Sequence, residues 1–84
     1  MLNTNTEAMN NAELQQRFKN AKANLIERWD DMGIKTPPTD KEVWGQMRAV
    51  AIQNKAEALA DDMEGYVIIY QKRIQAIDTI LAKL

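Results

Sequence analysis

The sequence predicts an all-α protein: an antiparallel helical hairpin with a long, bent second helix and a coiled-coil-like C-terminal seam. If the chain breaks near Gly65, the same pattern predicts a three-helix bundle instead. Three observations point this way. Apolar residues recur at three- and four-residue spacings in both halves of the chain. From Thr39 to Leu84 there is no proline, and most residues are good helix formers. A single Pro-Pro corner, "TPPT", separates the two periodic runs.

The elements follow in order. Residues 1–10 are polar and rich in Asn and Thr, which predicts a flexible tail. "MLNTNTEAMNN" has neither the charged nor the apolar segment of a signal peptide. Two cap patterns precede the first helix, Thr4 with Glu7 and Asn10 with Glu13. The second marks the start, because the apolar pattern begins there. Leu14, Phe18, Ala21, Leu25, Trp29 and Met32 share one face of a helix over 11–32, with Arg17, Lys19, Lys22 and Glu27 away from its centre. Gly33 suits the left-handed position after that helix, which would pair Ile34 with Trp29 in a Schellman ending.

The corner spans 33–39. Pro38 and Pro37 force the residues before them into extended backbone, so the first helix cannot continue. Thr39 with Glu42 reads as a capping box, and Asp40 places negative charge in the first turn, where the helix dipole favours it. "TPPT" lacks the PxxP spacing of a polyproline ligand, so it reads as punctuation.

The second arm is expected as one helix over 40–84, with a bend or break at 61–65. Ala56, Ala60, Met63, Val67, Tyr70, Ile74, Ile77, Leu81 and Leu84 alternate four- and three-residue spacings, and their phase runs across Gly65. The earlier apolar face of this arm, Val43, Trp44, Met47, Val50, Ala51 and Ala58, points roughly 150° away from that seam. The arm thus has two apolar sides, and residues 66–70 are apolar nearly all round. The first helix can cover only one side. Either the end of the chain folds back as a third helix, or another polypeptide covers the seam.

Composition narrows the chemistry. The 84 residues make one domain, without Cys, His or Ser. That removes disulfides, His-based acid–base chemistry, most zinc sites and the usual nucleophiles. The three glycines are isolated, so no phosphate loop is present. The expectation is a protein without enzymatic activity, cofactor, metal or small-molecule substrate. Glu57, Asp61 and Glu64 fall at i, i+4 and i+7 with Asp62 beside them. They suit a solvated acidic patch for polar contact with a partner better than the ligand shell of a hard cation, which needs more oxygens. Glu27, Asp30 and Asp31 form a second acidic group.

A net charge of −1 lacks the basic face of a nucleic-acid binder, and no run approaches the ~20 residues of a membrane span. The functional expectation is a small cytoplasmic interaction protein, a regulator or inhibitor that occupies a partner's surface, in the manner of small phage or plasmid accessory proteins. It is expected to pair as a homodimer, or with another protein, through Met63, Val67, Tyr70, Ile74, Ile77, Leu81 and Leu84. One alternative is a structural subunit that self-assembles through that seam. The other is a helix-turn-helix-like DNA-binding regulator with Lys41, Arg48 and Lys55 facing phosphates, opposed by the charge balance and the Pro-Pro connection.

Overall fold

The structure, a computed structural model, describes the backbone of residues 2–84 and the side chains of residues 12–84. It contains three helices, α1 (Leu2–Asp31), α2 (Asp40–Ala60) and α3 (Glu64–Leu81), and no strand among the described residues. The protein is all-α, and the chain divides into two compact units, Met1–Pro38 and Thr39–Leu84.

In the first unit, α1 covers 30 residues, about 45 Å of helix. It begins at Leu2, within the segment where a flexible tail is expected. The side chains of 2–11, and with them the cap expected from Asn10, lie outside the described residues. Leu14 and Leu25 are buried, and Phe18, Ala21 and Trp29 are half-buried, so these members of the predicted stripe are its covered part. The end of α1 closes as its spacing predicts. The Ile34 N–H donates to the Trp29 carbonyl at 2.8 Å and the Gly33 N–H to the Asp30 carbonyl at 3.0 Å, with Gly33 at φ +81°.

In the second unit, Thr39 caps α2. Its hydroxyl oxygen accepts from the Glu42 N–H at 3.2 Å, and the Glu42 carboxylate accepts from the Thr39 N–H at 3.2 Å. This reciprocal pair satisfies two donors that the first turn would otherwise leave open.

The long arm does not run through to Leu84; it breaks after Ala60. The Met63 N–H donates to the Ala58 carbonyl at 2.9 Å and the Asp62 N–H to the Leu59 carbonyl at 3.3 Å. Asp62 takes φ +57°, the only non-glycine with positive φ among the described residues. This is the Schellman pattern of α1 again, with Asp in the glycine position. Asp is among the few side chains that tolerate the left-handed region. Gly65, the expected bend, lies within the first turn of α3.

Helices α2 and α3 then pack as an antiparallel hairpin. Lys55 donates to the Gln71 side-chain carbonyl, and Arg48 pairs with Asp78. The two pairs lie seven residues apart on each helix, which fixes one register along the hairpin. The core of this unit is Val43, Trp44, Ala51 and Ala58 from α2 with Ile74 and Ile77 from α3. Val43 and Ile77 have no exposed surface. Full burial of an isoleucine is worth about 1.5–3 kcal/mol, and alanines at 51 and 58 let the helices come close.

Of the two ways to cover the seam, the structure shows the fold-back. Ala56 and Ala60 leave the seam and lie exposed, because the chain reverses direction after them. Their apparent register with Met63 and Val67 came from alanines, whose small side chains mark no face strongly.

Candidate interaction surface

The seam residues divide into three groups. Ile74 and Ile77 are buried, Val67, Tyr70 and Leu81 are half-buried, and Met63 and Leu84 are exposed. The middle of the seam is thus occupied within the chain. Its accessible members sit at the two ends, Met63 beside the hairpin turn and Leu84 beyond α3, and other large apolar side chains join Met63 at the turn. Leu59, Met63, Tyr66, Ile68 and Ile69 retain between 48% and 58% of their surface. Four of these five were not singled out from the sequence as site residues. The signal for three of them was present, however, in the all-round apolar run at 66–70.

The hairpin has two unlike faces. On one, the Arg48 guanidinium grips Asp78 through Nε at 2.5 Å and Nη2 at 3.5 Å, beside the Lys55–Gln71 bond. The Asp78 carboxylate raises the Arg48 pKa above its ordinary value, first through that hydrogen bond and then through its charge, against a small opposing effect of burial. Both partners are substantially exposed, so solvent screens the pair and it orients the helices more than it stabilises them. Two of the three cations considered for phosphate contact are therefore engaged inside the hairpin.

Helical phase puts Glu57 and Asp61 on the opposite face of α2, and Tyr66 and Ile69 on the same face of α3. The register sets Glu57 level with Ile69. Tyr66 and Tyr70 stack with ring centroids 6.5 Å apart, and the Arg73 guanidinium lies 5.4 Å from the Tyr70 centroid. Tyr66 is thus a half-exposed aromatic side chain held against a neighbouring ring.

The acidic patch meets the same turn. Glu57, Asp61, Asp62 and Glu64 are all exposed. The break takes them off a single stripe: Asp61 and Asp62 end α2, while Glu64 opens α3. Glu64 there complements the α3 dipole, whereas Asp61 and Asp62 sit at the negative end of α2, whose last turn has no basic residue. Among the described residues, no group of three or more carboxylates is placed to hold a metal ion.

In the first unit, an open groove of about 260 Å³ lies between the end of α1 and the corner that follows it. Ile26, Trp29, Ile34 and Pro38 line it, with Glu27 and Asp30 from the second acidic group. Among the described residues no helix is long and apolar enough to cross a membrane. No protein-family model, curated protein or solved structure matches this chain.

Proposed function

We propose that the protein is a non-enzymatic interaction module that works by occupying the surface of another polypeptide, as a regulator or inhibitor. One observation carries this reading: five large apolar side chains stand about half exposed around one hairpin turn, in a chain of 84 residues. Apolar surface gathered in this way marks contact sites, because each large side chain gains about 1.5–3 kcal/mol on full burial. The stacked Tyr66 suits the central anchor of such a contact, since little side-chain freedom is left to lose.

A photo-reactive amino acid in place of Tyr66 tests the reading in extracts of the native host. The expected result is a discrete cross-linked polypeptide, lost when Ile69→Asp, on the same face of α3, is added to a chain of unchanged helicity. Failure to cross-link any polypeptide, or cross-linking indifferent to that change, would refute it.

A further inference from the structure

We propose that the groove at the end of α1 holds an arginine side chain of a partner polypeptide. This site goes beyond the reading given above: it is separate from the hairpin turn and lies wholly within the first unit. Its size and its lining both bear on the occupant. At about 260 Å³ the groove falls short of pockets for drug-sized ligands, roughly 300–1,000 Å³, and suits one long side chain. Ile26, Trp29, Ile34 and Pro38 give it apolar walls, and Glu27 and Asp30 add two carboxylates. Arginine has the matching form: an apolar stem that lies along such walls, and a planar cation that accepts two carboxylates as neighbours.

Helical phase leaves the groove open to solvent. Ile26, Glu27 and Asp30 lie on the side of α1 opposite the buried Leu14 and Leu25, and all three are exposed. Glu27 and Asp30 are one turn apart, with Cβ atoms about 5–6 Å from each other, a spacing that one guanidinium bridges. Asp30 stands in the last turn of α1 and Glu27 just before it, where the negative end of the helix dipole adds to their attraction for a cation. The chain's own cations leave that attraction largely unmet. Arg28 points to the other side of α1, and Lys19, the nearest cation further up the groove side, is about 12 Å of helix from Glu27. Lys35 lines the groove and meets Asp30 at 4.0 Å, but their side chains are 84% and 73% exposed, so the pair is loose. Glu27 has no ion-pair or hydrogen-bond partner among the described residues. Lys35 thus shows that a cation reaches the rim of the groove. An arginine entering from a partner displaces it and engages Glu27 as well.

Titration of the full chain with a capped Ala-Arg-Ala tripeptide, followed through the indole N–H signals by NMR, tests the proposal. The Trp29 signal moves with saturable binding, while that of Trp44, only 4% exposed, stays in place. The same tripeptide with citrulline, which keeps the shape of arginine without its charge, moves neither signal. Glu27→Gln/Asp30→Asn weakens binding about fivefold with helicity unchanged, and Lys35→Ala strengthens it about twofold by removing the competing cation. A Trp29 signal that ignores the arginine peptide, that moves equally with citrulline, or that titrates unchanged in the double variant would each overturn the proposal. The residue-66 cross-link reads a different surface, so either result can fail while the other stands.

Discussion

Two helix ends in this protein make the same pair of hydrogen bonds with different residues. After α1 the left-handed position holds Gly33; after α2 it holds Asp62. In both, a six-residue bond closes the turn: Ile34 to Trp29 at 2.8 Å, and Met63 to Ala58 at 2.9 Å. Glycine adopts this backbone without steric cost, whereas an L-residue there gives up roughly 1–2 kcal/mol. The second end is therefore the weaker stop, and it is the one that decides the architecture. Everything buried between α2 and α3 depends on the chain reversing at Asp62.

The largest test of that dependence is Ile77→Ala. Ile77 is fully buried only because α3 folds back, so its truncation is expected to cost about 2–5 kcal/mol. Urea unfolding followed by circular dichroism measures it. A loss under about 0.5 kcal/mol, usual for a surface position, would mean that the turn is open and the long arm continuous.

This contrast also explains what could be read from the residues. The end of α1 was legible because Gly33, the double proline and the Thr39–Glu42 box each mark a boundary in their own way. The end of α2 offered only "DDMEG", where both aspartates look like caps for a new helix and glycine looks like the break. Asp62 does the work of glycine, and the phase of the apolar residues ran through without interruption. The buried set on α3 was legible, since Ile74 and Ile77 lie on the predicted seam. Its cover is not legible, because periodicity shows that a face is apolar and says nothing of what covers it. The exposed set at the turn emerged only once α2 had taken the inner side of α3.

Next in size is Gly33→Ala. A Cβ at this position would meet nothing within 4 Å, so the cost is backbone conformation alone, about 1 kcal/mol. Thermal unfolding should show a lower midpoint. An unchanged midpoint would mean that closure of this helix end adds nothing to stability. The opposite change, Asp62→Gly, relieves the left-handed strain and removes a negative charge from the end of α2. Its gain is about 0.5–1 kcal/mol, reduced in part by the freer unfolded chain. A loss of stability on this change would show that the Asp62 side chain holds the turn in a way that glycine cannot replace.

The smallest effect is expected at Gly65, and it separates a hinge from an ordinary helical residue. Glycine inside a helix is less stable than alanine by about 0.5–1 kcal/mol, and the first turn realises only part of that. Nothing lies within 4 Å of a Cβ built at Gly65, and Asp62 already supplies the reversal. Gly65→Ala should therefore raise stability by about 0.5 kcal/mol or less and leave the hairpin closed. A bend at Gly65 would give the other sign, because alanine would straighten the arm and pull Ile74 and Ile77 away from α2. The midpoint of urea unfolding reads that sign directly, and an unchanged slope shows that the same surface is exposed on unfolding.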